Sequence, residues 1–135
     1  MEMAQTILSS WNEPQRQLAA FNLGLDYLFI LAYVVTISLA CAWTGAMFLT
    51  RSNLLARVTR PFIWGLCLAG SLDVVENLGL IVMLVGEVAG PWPVVAAWAA
   101  RIKFALVAFT LIYALSGGIV WLTVRVRIPG KSAPA

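Results

Sequence analysis

Five charged side chains interrupt the apolar stretches of this 135-residue sequence: Asp26, Asp73, Glu76, Arg101 and Lys103. A charge near the centre of a bilayer costs about 2.5 to 3.5 kcal/mol on insertion scales, so a membrane helix keeps one only where something compensates it. A carboxylate can bind a cation or a proton, and a lysine can neutralise a carboxylate. The chemistry that these residue types allow in apolar surroundings is therefore ion pairing, cation binding or proton binding.

Helical phase predicts which of these side chains face one another. At about 100° per residue, each apolar segment carries its polar and small residues on one face, and small residues allow close helix packing in lipid. We therefore expect the three faces to meet. Arg101 lies about 200° from Lys103 and is predicted to point outward, toward headgroups or a partner protein. The faces are Asn22, Asp26, Tyr33, Ala40 and Thr44; Ala69, Gly70, Asp73, Glu76 and Asn77; and Ala99, Lys103, Thr110, Ala114 and Gly117.

The predicted cluster allows three interpretations. In the first, Glu76 and Lys103 form a buried ion pair that fixes helix register, with Asp26, Asp73 and Asn77 attached by hydrogen bonds. In the second, the cluster is a ligand or ion network open to the outer leaflet that binds a cationic or zwitterionic group or a proton, because three acids face one inward base. In the third, the charges contact another subunit. The candidate site residues are Asp26, Tyr33, Asp73, Glu76, Asn77 and Lys103.

The amino-acid composition indicates that the helices carrying these residues lie in a lipid bilayer. Hydrophobic residues make up 61% of the chain and charged residues only 11%, whereas about a quarter of a soluble domain is charged. This excludes a disordered chain, a soluble enzyme domain and a nucleic-acid-binding module. We predict an all-α membrane protein with one domain over residues 1–135. Its three transmembrane helices cover about residues 22–49, 62–85 and 96–124, each long enough to cross a core of about 30 Å.

The two ends of the chain are predicted to lie outside the spans. Residues 1–20 are too polar to cross a bilayer, but their apolar residues recur at helical spacing, which predicts an interfacial helix. Asn12-Glu13-Pro14 then predicts the start of a helix that runs into the first span. The tail, 128–135, is predicted to be disordered.

The distribution of basic residues predicts orientation. Segment 51–60 contains Arg51, Arg57 and Arg60 without an acid, and basic residues follow Val124, whereas the loop 86–93 has no base. Short cytoplasmic loops carry an excess of Lys and Arg, so both basic segments are expected in the cytoplasm. With three spans between the ends, the N terminus is then outside and the C terminus cytoplasmic.

The sequence offers little for cofactor chemistry or enzymatic catalysis. It has no histidine and two cysteines, so the usual ligands of zinc, haem and iron-sulfur clusters are nearly absent. No nucleophile and base pair and no glycine-rich phosphate loop can be identified. We therefore expect no metal, no cofactor and no enzyme activity.

Three segments carry a family resemblance. LDYLFILAY at 25–33, DVVEN at 73–77 and KFALV at 103–107 resemble landmarks of small, uncharacterised multi-pass bacterial membrane proteins, over most of residues 22–118. The resemblance implies three or four helices and a bacterial inner membrane. It implies no particular activity.

Two functions fit these observations. The first is a small accessory or assembly subunit whose buried acid and base network binds a polar ligand. The alternative is a proton- or cation-coupled transporter acting as a homo-oligomer, because three helices enclose too little volume for a path of their own. In either case the expected partners are membrane lipid and either further copies of the chain or a larger membrane complex.

Overall fold

The computed structural model describes residues 6, 10–49, 53–86 and 90–126. Within these ranges the chain forms helices and no strand: α1 (Glu13–Leu49), α2 (Asn53–Arg57), α3 (Thr59–Val85) and α4 (Trp92–Val126). Three stretches are long and apolar enough to cross a membrane, with mean hydropathy between 1.8 and 2.0: Glu13–Leu49, Leu54–Val85 and Trp92–Thr123. The prediction of an all-α fold with three helices that could span a membrane is confirmed.

The start of α1 is fixed by a capping box. The Asn12 backbone N–H donates to Gln15 Oε1 at 2.9 Å, and the Gln15 N–H donates to Asn12 Oδ1 at 3.0 Å. This reciprocal pair satisfies backbone donors that would otherwise have no partner, and Pro14 suits a first helical turn. The predicted interfacial helix over 1–20 is not shown, because residues from Glu13 onward belong to α1 and residues 1–5 and 7–9 lie outside the described residues. The predicted disordered tail, 128–135, also lies outside them.

The long helices form an antiparallel bundle in which each contacts the other two. We call the end where α3 stops and α4 starts the Gly86 end, and the other the Arg57 end. Gly86 has φ of 121°, a conformation that glycine adopts without strain, and its N–H donates to the Met83 carbonyl at 3.3 Å to terminate α3. The most extensive packing joins α3 and α4, so these two helices form the frame against which α1 lies.

The Arg57 half of the bundle has a closed apolar core. Cys41, Phe48 and Tyr113 are buried together, and the Tyr113 ring stacks on Phe62 with 4.7 Å between centroids. The Tyr113 hydroxyl donates to the Leu55 carbonyl at 3.1 Å and lies 2.6 Å from Thr59 Oγ1, so the threonine hydroxyl donates to the tyrosine. Aromatic packing and hydrogen-bonded hydroxyls therefore fill the centre of this half of the described chain.

α1 and α4 approach each other closely where Gly117 faces Thr44. The Thr44 hydroxyl donates to the Ala114 carbonyl at 3.1 Å. A Cβ atom added to Gly117 would lie 2.7 Å from the Cβ of Thr44, a distance too short for two carbon atoms. The glycine therefore allows the two backbones to reach hydrogen-bonding distance, as expected for helix packing in lipid.

α1 packs closely only along its second half. Its buried residues are Ile30, Cys41, Thr44, Gly45 and Phe48, and none precedes Ile30. Large apolar side chains before that point, such as Leu18, Phe21 and Leu28, are mostly exposed. The first half of α1 therefore leaves a space beside α3 at the Gly86 end.

Candidate functional site

Lys103 of α4 is the centre of a buried polar group. Its Nζ atom donates to Asp73 Oδ1 and lies 2.6 Å from Glu76 Oε2. Tyr33 of α1 donates its hydroxyl proton to Asp73 Oδ2 at 3.1 Å. One lysine thus holds two carboxylates of α3, and Asp73 bonds to groups on both other helices.

A second polar contact joins α1 and α3 nearer the Gly86 end. The Asn77 amide Nδ2 donates to Asp26 Oδ2 at 2.6 Å. Asn77 is 2% exposed, whereas Asp26 is only partly buried. Because the donor is a neutral amide, this hydrogen bond orients the Asp26 carboxylate and does not neutralise it.

The local sequence of α3 explains why its polar groups share one side. Asp73, Glu76 and Asn77 stand three and four residues apart, the spacing of neighbours on a helix surface. Val74 and Val75 point elsewhere, and Val75 is exposed. Gly70 precedes the group, and a Cβ there would lie 2.9 Å from Val34 Cγ2, so this glycine brings α1 close enough for Tyr33 to reach Asp73.

The charges of the cluster do not balance. Asp73 is 4% exposed and Lys103 is 9% exposed, so this pair is largely removed from solvent. The lysine also pairs with Glu76, whose side chain is 18% exposed. Among the described residues, Asp26 has no cationic side chain within ion-pair distance. Three acids therefore face one base.

A cleft of about 550 Å³ opens beside Asp26 and Glu76, and we call it the Asp26 cleft. Its polar wall is formed by Asn22, Asp26, Glu76 and Asn77, and α4 contributes nothing to it. The remaining lining residues are apolar or aromatic: Trp11, Ala19, Leu23, Leu80, Met83 and Leu84. A cleft of this size, apolar apart from a few convergent polar groups, has the properties of a small-molecule binding site.

The sequence predicted which polar residues face the interior of the bundle, but not which of them pair with one another. The structure brings all six candidates, Asp26, Tyr33, Asp73, Glu76, Asn77 and Lys103, into the two groups described above. The predicted buried ion pair is present, but Asp73 shares the lysine that the sequence analysis gave to Glu76. Arg101 is exposed and lies 5.3 Å from the Trp98 ring, so it is outside the site, as predicted. A role for the six residues in binding a ligand or ion stays a prediction.

The apolar lining of the cleft was missed. Leu80, Met83 and Leu84 continue the Glu76 face at helical spacing toward the Gly86 end, and this periodicity was the available signal. Trp11 belongs to the predicted interfacial segment, and its sequence spacing gave no indication that it lines this cleft.

Comparisons with known proteins do not assign a function to this chain. No protein-family model, no curated protein and no solved structure matches it. The functional conclusion below therefore rests on the chemistry of the Asp26 cleft.

Proposed function

We propose that this chain is a non-enzymatic protein of a bacterial inner membrane, a small accessory or assembly subunit that binds a cationic group at Asp26. The observation that supports this is a carboxylate that lines a cleft and lacks a cationic partner among the described residues. An ionisable side chain retained inside a membrane helix is by default a functional candidate, because its insertion is costly.

The surroundings of Asp26 favour a cation as its ligand. Asn77 already occupies Asp26 Oδ2, which leaves Oδ1 and the remaining lone pairs for a ligand. Glu76 lines the same cleft and adds negative charge, while Lys103 is held by two acids and is not among the cleft residues. A bound cation would compensate the surplus charge, and an anion would increase it.

The orientation proposed from the sequence places the Asp26 cleft on the outer side. Arg57 and Arg60 are exposed at the Arg57 end, which suits a cytoplasmic face. The cleft then lies in the outer half, with Glu76 nine residues from the end of α3. That spacing corresponds to about 13 Å.

Replacement of Asp26 by asparagine tests the binding proposal. Ethylammonium chloride should raise the thermal unfolding temperature of the wild-type protein in detergent, compared with sodium chloride at equal ionic strength. A ligand at 100 times its Kd stabilises the native state by about 2.7 kcal/mol. D26N should show no such shift, and without ligand it should be at least as stable as wild type because an uncompensated charge has been removed. Equal shifts in both proteins would contradict the proposal.

The subunit proposal has a separate test. Native mass spectrometry of the protein released gently from its own membranes reports stoichiometry, bound small molecules and partner polypeptides together. A complex with other polypeptides would support an accessory role and identify the partner. A monomer free of any other polypeptide would contradict that part of the proposal.

A coupled transporter is the second candidate, and one observation favours it. Tyr33, Asp73, Lys103 and Glu76 form a continuous chain of polar contacts that leads inward from the Asp26 cleft. The apolar core around Tyr113 closes the Arg57 half, so a complete path would need a second copy of the chain.

Replacement of Glu76 by glutamine separates the two candidates. In a transporter, E76Q should abolish cation-driven flux into reconstituted vesicles and leave assembly nearly intact. In an accessory subunit, wild-type vesicles should show no flux above empty ones, and E76Q should lower the unfolding temperature because Lys103 loses one partner. An unchanged flux and an unchanged unfolding temperature would contradict both.

A further inference from the structure

The order of polarity along the Asp26 cleft distinguishes among possible cations. The carboxylates of Asp26 and Glu76 lie at its deep end. Leu80, Met83 and Leu84 follow on α3 between Glu76 and the Gly86 end. On α1, Leu23, Asn22 and Ala19 lie beyond Asp26 in the same direction, and Trp11 lies two residues before α1 begins. The cleft is therefore charged at its inner end and, apart from Asn22, apolar toward the Gly86 end, which we take as its mouth.

We propose that the ligand of the Asp26 cleft is a lipophilic amine, in which one ammonium group is attached to an apolar body of small-molecule size. This rests on the proposed function, because it specifies the cation that Asp26 binds. The ammonium group reaches Asp26, and the apolar body lies against Leu80, Met83 and Leu84. The Trp11 ring supplies an aromatic surface near the mouth.

Size and lining argue against an inorganic ion. A cleft of about 550 Å³ is far larger than a bare metal ion needs, and hard cations take most of their ligands from oxygen atoms. Here six of the ten lining residues are apolar or aromatic. Such a wall is complementary to an apolar body and not to a bare ion, and taking that body out of water contributes about 0.8 kcal/mol for each buried methylene group.

The same order of polarity argues against a membrane phospholipid. A phospholipid places its charged headgroup at the membrane surface and its apolar chains deeper. The Asp26 cleft has the reverse arrangement, with its acids about 13 Å below the end of α3 and its apolar wall above them. A compound that enters with its ammonium group first and its apolar body behind fits this arrangement.

Matched ligands test the proposal on the full chain in phosphatidylcholine nanodiscs. Binding of 3-phenylpropylammonium, methylammonium and the neutral 3-phenylpropanol is followed by tryptophan fluorescence and by thermal shift. We expect the phenylpropyl amine to bind at least about tenfold more tightly than methylammonium, because its body covers the apolar wall. The alcohol should bind at least about tenfold more weakly than its amine, because it lacks the charge.

Two variants of α3 test the apolar wall without touching the acids. Leu80→Ser should weaken binding of the phenylpropyl amine by roughly three- to tenfold and leave methylammonium binding unchanged. The matched control is Leu78→Ser, because Leu78 is exposed on the same helix and does not line the cleft. Equal losses in the two variants would overturn the assignment of the wall.

The outcomes separate this inference from the proposed function. Equal affinities for the two amines, both abolished in D26N, would overturn the lipophilic ligand and preserve cation binding at Asp26. If neither amine bound the wild-type protein, both the inference and the proposed function would be overturned. Nanodiscs that contain phosphatidylethanolamine test the lipid source: competition between this lipid and the phenylpropyl amine would assign the cleft to a phospholipid headgroup and overturn the inference.

Discussion

Replacement of Lys103 by methionine should lower the free energy of unfolding by about 3 to 5 kcal/mol, the usual cost of removing one partner from a buried ion pair. The variant keeps the length and apolar stem of the side chain but removes the cation that holds Asp73 and Glu76. Asp73 is 4% exposed, so water cannot replace the lysine without opening the contact between α3 and α4. The measurement is reversible unfolding in mixed micelles, followed by circular dichroism.

Arg101 provides the matched control for this prediction. It lies two residues from Lys103 on the same helix, is exposed, and contacts the Trp98 ring, so Arg101→Met should cost less than about 1 kcal/mol. The triple variant D73N/E76Q/K103M removes all three charges and should recover most of the loss, because positions 73 and 76 then carry no charge that needs the lysine. If K103M and R101M lowered stability equally, the buried ion pair would not stabilise the bundle.

Gly117→Ala should destabilise the protein by about 1 to 3 kcal/mol, the usual cost of adding a methyl group to a tightly packed contact. The new Cβ would lie 2.7 Å from Thr44 Cβ, so α1 and α4 must separate. Separation would also lengthen the hydrogen bond from the Thr44 hydroxyl to the Ala114 carbonyl. The loss should appear as a lower unfolding temperature in detergent.

The neighbouring glycine makes this second prediction specific. A Cβ added to Gly118 meets no atom within 4 Å, so Gly118→Ala should be neutral or slightly stabilising, since alanine favours a helix. The double variant T44G/G117A places the glycine on α1 and the methyl group on α4. It should recover part of the stability that G117A loses, because the new Cβ then has space. Equal unfolding temperatures for the two alanine variants would show that α1 and α4 do not meet at Gly117.

The inward faces of α3 and α4 could be predicted because helical phase is set by sequence spacing alone, whereas on α1 only Thr44 of the predicted face is buried and Asn22 is exposed. On α3, Ala69, Gly70, Asp73 and Asn77 are all buried as predicted. On α4, Ala99, Lys103 and Thr110 are buried as well. In lipid these faces have few alternatives, because a charged or amide side chain that turned outward would remain unsatisfied.

The pairing within the site could not be predicted, because phase gives direction and not distance. Whether Lys103 contacts Glu76 alone or both acids depends on how far α4 is shifted along its axis relative to α3. The sequence pattern of the two helices would be nearly the same if that shift changed by one helical turn. The Asp26 cleft depends on the divergence of α1 before Ile30, a property of how the helices cross. The start of α1 could be predicted, because Asn12-Glu13-Pro14 is a helix-start signal and α1 begins at Glu13 behind the Asn12 capping box.

The distribution of the buried charges over the helices has a consequence for biosynthesis. Asp73 and Glu76 belong to α3, and the lysine that compensates them belongs to α4, so the acids leave the ribosome before their cation does. A lone α3 would enter the bilayer with two uncompensated carboxylates. The linker between Val85 and Trp92 is short, and α3 and α4 share the most extensive packing. We therefore expect the translocon to release these two helices together, as a hairpin in which Lys103 is already paired with both acids when lipid surrounds it.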